Sequence, residues 1–437
     1  MTAGGRKASD RKAADRKAAR GQAFLRRHAL DSRPLATPAY RRLLVGQGTA
    51  FVGSMVTAVA VPVQVWALSH SPLQVGLVGL VGLPPIVGFG LYGGAIADAV
   101  DRARLYFWSS LVTWLGTLAL LLQTIFDMRN VVLILALVAL QSGSFAVASS
   151  ARGAMIPRLV ATELVPAANT LNFTVGNVGQ VIGPLLAGGL VSLPHGFEYA
   201  YVLDAVLFLA ALYSALRLPP MPPLVEHGTV RTPGIRSVID GLRFISGNPI
   251  LLMSFGVDIV AMVLAMPRSL YPAVAAERFH GVVGPLYAAI AIGAVIAGLS
   301  SGWISRVRLQ GRALTFAIVV WGICVAGSGL ARQLWLVVLL LAFAGAADLV
   351  SAVYRQTILQ TYAPDEMRGR MQGVFIAVVA GGPRLGDLRA GAMASWISPT
   401  FSWVFGGLAC VVIVSIAALA VRPFWRYRTT EMGEEFE

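Results

Sequence analysis

The chain of 437 residues is 56% hydrophobic and only 13% charged, with a mean hydropathy of +0.71, a balance that excludes an ordinary soluble globular domain. Its formal charge of +14 would suit nucleic acid if the basic residues formed a stripe on a folded domain. They collect instead at one end of successive apolar segments, which is a pattern of membrane topology and argues against a nucleic-acid partner.

In chain order, residues 1–40 form a basic tail with the near-repeat Asp10-Arg-Lys-Ala-Ala and Asp15-Arg-Lys-Ala-Ala. It has no apolar core of the secretory-signal type and is expected to be flexible and to touch anionic lipid. Twelve apolar spans of helical length follow: 43–67, 73–97, 105–125, 130–150, 168–192 and 198–217, then 249–267, 282–304, 312–331, 334–354, 371–396 and 400–421. Each is long enough to cross about 30 Å of hydrocarbon as a helix. Alternate connections, with both tails, hold 29 of the 35 lysines and arginines. The positive-inside rule therefore predicts cytoplasmic termini, and an even number of spans agrees.

The longest internal connection, 218–248, opens on Pro219-Pro220-Met221-Pro222-Pro223, which no helix can continue through. An amphipathic stretch from Ser237 to Ile245 is expected to lie on the inner membrane surface. The expected organisation is a first six-helix half over 41–217, this linker, a second half over 249–421 and a tail over 422–437. The halves resemble each other. A shift of 203 places Arg152 on Arg355 and Gly179, Gly183 and Gly188 on Gly382, Gly386 and Gly391, while a shift of 208 places Gly76 on Gly284. Parallel repeats of this kind mark transporters that rock one half against the other.

Gly93-Gly94-Ala-Ile-Ala-Asp98-Ala-Val-Asp101-Arg102-Ala-Arg104 joins spans two and three. It resembles the loop signature of the major facilitator superfamily, although Ala99 stands where that family usually has arginine. Gly94 permits close helix contact, and Asp98 suits the positive N-terminus of a neighbouring helix. With Asp101, Arg102, Arg104, Arg152, Asp348 and Arg355 it is expected to form a cytoplasmic gate. Gly179, Gly183, Pro184, Gly188 and Gly189 in span five resemble the superfamily's antiporter motif, with Ala187 at a usual glycine position.

A narrower resemblance, to the bacterial secretion-effector branch of the superfamily, rests on 166–172, on Asp258 to Arg268 and on 381–391. It implies an all-α membrane protein of twelve transmembrane helices that exports a siderophore or drug-like molecule in exchange for protons. An importer or uniporter of the same fold, or a non-transporting component of a biosynthetic complex, is the alternative reading.

Four acids lie inside spans, and carboxylates at that depth usually face a bundle interior or a cavity. Asp258, near mid-membrane on span seven, is either the proton carrier or a structural hydrogen-bonding acid. Arg384 and Asp387 are three residues apart on one helical face, so an internal ion pair is expected, as a coupling switch or as a static clamp. Arg389 is expected to snorkel to the interface, and Asp204 to be structural. Gln47, Thr57, Gln141, Asn172 and Asn177 either line the substrate path or bond neighbouring helices. Two cysteines inside apolar segments and five scattered histidines offer neither a disulfide framework nor metal-ligand spacing. No nucleophile-and-base arrangement is visible. The expected partners are thus a small-molecule substrate, protons and the lipid bilayer, with no cofactor or metal and with a monomeric chain.

Overall fold

Backbone amides placed in hydrocarbon must find partners within their own segment, so apolar runs of this length form helices. The computed structural model describes residues 31–223, 242–362 and 368–428, excepting the side chains at 91, 93–95, 97–99, 305–306, 360, 362, 368–373 and 375–377. Six helices precede the linker: α1 Pro38–Ser69, α2 Pro72–Ala99, α3 Arg102–Ile125, α4 Val131–Leu159, α5 Val165–Val191 and α6 Gly196–Leu216. After it come α7 Pro249–Leu264, α8 Tyr271–Arg278, α9 Gly284–Leu299, α10 Gln310–Leu330, α11 Leu334–Tyr362, α12 Arg368–Trp396, α13 Pro399–Ala420 and the short α14 Arg422–Trp425.

Local signals set the starts of these helices. Proline occupies the first turn of α1, α2, α5, α7 and α13, where its missing N–H costs nothing. Ser71, Asp101, Asn130, Asn248 and Ser398 cap their helices by accepting backbone N–H groups. Among the described residues, ten spans are long and apolar enough to cross a bilayer, with α7 and α8 forming one of them over Pro249–Arg278. Gly284–Leu299 is a shorter apolar helix, and α12 is 29 residues long with charges along its length. Each of the twelve expected spans is thus occupied by helix. Several helices run past the expected ends, as α4 does to Leu159, because hydropathy marks only the part in hydrocarbon.

The part of the linker expected to be amphipathic is described only from 242, and 242–246 are helical. Ile245 is buried there and Leu242 is half-exposed.

Packing repeats between the halves. Before the linker α1 lies against α5 and α6, α4 against α2 and α3, and α3 against α6; after it α7 lies against α12 and α13, α11 against α9 and α10, and α10 against α13. The same five pairings recur six crossings later. Between halves the main contacts are α2 with α12 and α5 with α9, which are also repeats of each other.

Both contacts are made through glycine. A Cβ on Gly188 would lie 2.5 Å from the Gly284 Cα, and one on Gly391 would lie 3.3 Å from the Gly76 Cα. Because the 203 and 208 shifts interchange these residues, one contact is the repeat of the other. The rest of the motif packs within a half. A Cβ on Gly179 would lie 2.6 Å from the Phe51 ring on α1, and one on Gly382 would lie 2.9 Å from Met262 on α7. Gly183 likewise meets Met55, and Gly386 meets Met262.

Among the described residues, the glycine contacts between the halves lie at one end. At Gly79 a Cβ would lie 3.2 Å from Asp387 Oδ2, whereas at Gly90 it would meet nothing within 4 Å. Gly90 lies about 16 Å further along α2 and within about 20° of the same face. Among the described residues, the interhalf glycine contacts thus lie toward the end opposite the one from which α1 starts.

Overfilling the interhalf contact is expected to be costly. Gly188→Leu should destabilise the protein by about 1–3 kcal/mol. Gly189→Leu should cost close to nothing, since a Cβ there meets nothing within 4 Å; thermal unfolding in detergent compares the two.

Candidate functional site

Pro267 supplies no N–H and pushes the residue before it away from helical geometry. The seventh crossing accordingly breaks: α7 ends at Leu264, a 3-10 turn covers Arg268–Leu270, and α8 resumes at Tyr271. The break frees the last carbonyls of α7, which carry the negative end of the helix dipole. Arg389 of α12 takes them. Its Nε donates to Val263 O at 3.2 Å, its Nη2 donates to Leu264 O, and its Nη1 reaches Ser402 O at 3.2 Å. The snorkelling expected of Arg389 is thus replaced by a cap inside the bundle, because free carbonyls lie closer than the interface.

Asp387 closes the other side of the break. Its Oδ1 accepts the Ser269 N–H at 3.2 Å, and its Oδ2 pairs with Arg268 Nη2 at 3.4 Å. Ser269 Oγ returns a bond to Asp387 O at 2.8 Å. The expected partner of Asp387 was Arg384. A helical side chain leans toward the helix N-terminus, and Arg384 Nη1 accordingly donates to Ala380 O, one turn back, at 2.6 Å. The acid pairs across helices instead of along its own.

A second cluster lies deeper in the same half. Asp258 of α7 is paired with Arg355 of α11, and both are almost fully buried. Asp348, one face along α11, stands 3.8 Å from the same guanidinium. One arginine is therefore flanked by two carboxylates. Removing one partner of a buried pair that has no other counter-charge costs about 3–5 kcal/mol, but here Asp348 leaves Arg355 a second carboxylate.

In the first half Asp204 of α6 accepts from Thr57 of α1 at 2.6 Å and from Thr117 of α3 at 3.1 Å. Gln141 of α4 donates to Thr117 at 3.0 Å. Thr57 and Gln141 are thereby held in a network that ties four helices. Asn172 donates to Tyr40 Oη at 3.2 Å and to Ala168 O at 3.0 Å, fastening α5 to α1. Gln47 keeps an enclosed amide oxygen without a hydrogen-bond partner, and Asn177 is half-buried on α5.

At the turn between α2 and α3, Asp101 accepts from Ala103 N and Arg104 N and, through Oδ2, from Met221 N at 2.8 Å. Arg102 Nη1 donates to Ala154 O at 3.2 Å, and Arg152 Nη2 to Ser149 Oγ at 3.3 Å. The Asp101 bonds cap α3 and seat the linker on the first half, Arg102 ties α3 to α4, and the Arg152 bond stays within α4. The side chains of Gly94 and Asp98 lie outside the described residues. Arg355, grouped with this turn by its repeat position, sits instead with Asp258 inside the second half.

Arg268, Ser269 and Thr117 are site residues that sequence reasoning missed. Pro267-Arg268 inside an apolar run was the available signal for the first two. Among the described residues no group of three or more metal-type side chains forms, and Cys324 and Cys410 are free thiols.

Arg389→Ala should expose the α7 carbonyls and lower stability by about 1–3 kcal/mol. Arg389→Lys should recover part of that, as read by thermal unfolding.

The comparisons with known proteins agree with this architecture. The family model described as transmembrane secretion effector matches residues 31–432. The enterobactin exporter of Shigella boydii serotype 18 is 30% identical over 400 residues, covering 90% of this chain and 94% of the relative. Among solved structures, a mutant of the nucleoside transporter NupG superposes with a TM-score of 0.70 at 13% identity, covering 88% of this chain and 99% of that one. A bacterial homologue of the human lysosomal transporter Spinster gives 0.66 at 18% identity, covering 91% and 100%. At these identities the structures establish the fold alone. The chain is a multi-pass membrane protein of the transmembrane secretion effector family, with the fold of major facilitator transporters.

Proposed function

We propose that the protein is a proton-coupled exporter of a siderophore or drug-like small molecule, working by alternating access in a bacterial cytoplasmic membrane. The observation that carries this reading is the pair of repeat-related glycine contacts, Gly188 on Gly284 and Gly391 on Gly76, which join the halves at one end, while Gly90 toward the other end meets none of the described residues. The family match and the exporter relative supply the direction of transport.

With the termini cytoplasmic, the parted end is the inner one, and substrate enters the cleft between the halves from the cell. Rocking then closes the inner end and separates the glycine contacts at the outer end. Asp387 and Arg268 flank that outer contact, so parting brings the pair to outside water. A proton arriving there, or at Asp258, neutralises a carboxylate and releases its arginine. In the deeper cluster Arg355 has Asp348 as a second acceptor 3.8 Å away, so neutralising Asp258 shifts the guanidinium instead of stranding it. Release of substrate and deprotonation to the inside complete the cycle. The chain acts as a monomer and uses no cofactor, and its work is transport, not catalysis.

Asp258→Asn should abolish export driven by a pH gradient in proteoliposomes while leaving substrate counterflow intact; unchanged gradient dependence would remove Asp258 from the coupling role.

A further inference from the structure

The end of the molecule that carries the interhalf glycine contacts also holds a cavity of about 490 Å³, lined by Arg278, Gly329, Leu330, Arg332 and Thr400. Three segments of the second half meet there: the end of α8, the turn from α10 into α11 and the first turn of α13. The guanidinium of Arg278 is seated in the wall. Its Nη1 donates at 3.0 Å to Gly329 O, one of the last carbonyls of α10, and its Nη2 donates to Thr400 Oγ1. These two bonds use only part of the guanidinium's donor fork. Thr400, accepting one of them, keeps its own hydroxyl hydrogen to give.

Cations are scarce at this end, where the turns and the short α8 carry Arg129, Arg268, Arg278 and Arg332. Arg129 pairs with Asp127 at 2.9 Å, and Arg268 pairs with Asp387. The other two border the same cavity. Among the described residues neither has a carboxylate within ion-pair distance, and Glu277, beside Arg278 in the chain, pairs with neither. Two like charges converging on one hollow raise each other's energy unless an anion meets them. The start of α13 adds the positive end of a helix dipole beside Thr400.

Neighbouring side chains give the depth of the cavity. Trp335 lies in the first turn of α11, just after Arg332, and Trp396 is the last residue of α12, just before Thr400. Both are exposed, as is Leu330 on the cavity's rim. Tryptophans exposed at helix ends mark the headgroup level of a bilayer, with hydrocarbon to one side and water to the other. The two arginines therefore stand where lipid phosphates stand.

We infer that this cavity binds the phosphate of an anionic phospholipid, taken between Arg278 and Arg332, with the Thr400 hydroxyl as a further donor and Leu330 on the acyl side. Arginine suits the task because its planar fork meets two phosphate oxygens at once. Two guanidiniums favour a lipid with net negative charge over a zwitterionic one, whose own cation they repel. With the termini cytoplasmic as proposed above, the lipid belongs to the outer leaflet. It ties the ends of α8, α10 and α13 to the headgroup plane. The inference goes beyond the transport reading and does not need it.

The test is native mass spectrometry of the full-length protein in detergent, titrated with phosphatidylglycerol or with phosphatidylcholine of the same acyl chains. The first phosphatidylglycerol should bind about fivefold more tightly than phosphatidylcholine, the worth of one cation near a headgroup. Arg332→Gln should remove that preference, and Arg332→Lys should keep most of it. Thr400→Val should weaken phosphatidylglycerol binding severalfold. Arg129→Gln takes a cation from the same end, but one already paired with Asp127, and should change nothing. Arg332 is exposed and makes no hydrogen bond or ion pair among the described residues, so the Arg332 variants decide even if Arg278→Gln, which also uncaps α10, fails to fold. The proposal is overturned if phosphatidylglycerol is not preferred, if the preference survives Arg332→Gln, or if Arg129→Gln removes as much of it. Glycerol 3-phosphate is the third probe; binding of it with the same dependence on Arg332, in the absence of lipid binding, would assign the site to a soluble phosphate and overturn the lipid. Binding requires no gradient, so failure of proton-driven export would leave this site standing, and loss of the site would leave coupling standing.

Discussion

The close approach of α5 to α9 and of α2 to α12 is the constraint on which the rest of the structure depends. Two rigid bundles can lie against each other inside a bilayer only where side chains do not hold the backbones apart. Gly188 and Gly284 provide one such place and Gly76 and Gly391 the other, both at the same end of the molecule. Among the described residues nothing equivalent joins the halves at Gly90. Under the alternating access proposed above, this two-point joint is where the halves would pivot.

A second consequence is where the buried charges sit. The second half carries the broken seventh crossing, and the break is held by charge: Arg389 on the freed carbonyls, Asp387 on the Ser269 amide and the Arg268 guanidinium. Deeper in, Arg355 is shared by Asp258 and Asp348. The first half ties its helices with neutral donors around Asp204 instead. The two halves share a frame, but these buried ion pairs lie in one of them. Unpaired charges at this depth are so costly that each pair restricts which rearrangements the half can make.

Much of this frame was legible in the residues. Apolar length located twelve stretches that the structure fills with helix, and the 203 and 208 offsets anticipated which glycines would be equivalent. The partners of the charges were not legible. Spacing along α12 suggested Arg384 for Asp387, but side-chain direction turned Arg384 backwards and left the acid to the break in α7. Arg389, read as reaching for the interface, caps Val263 and Leu264 for the same reason: the break placed free carbonyls beside it. For Thr57 and Gln141 the residues alone did not name partners, and the fold supplies Asp204 and Thr117.

The sequence by itself determined what is local or periodic: helices from apolar length, their starts from proline and capping residues, and two halves from the repeat. Each of these follows from near neighbours along the chain or from the thickness of a bilayer. Only the tertiary structure decided which arginine meets which acid, which polar groups are held between helices, and at which end the halves touch. Those depend on residues more than a hundred positions apart, as Arg268 and Asp387 are, and on a break whose freed backbone groups attract whichever side chain the fold brings within reach.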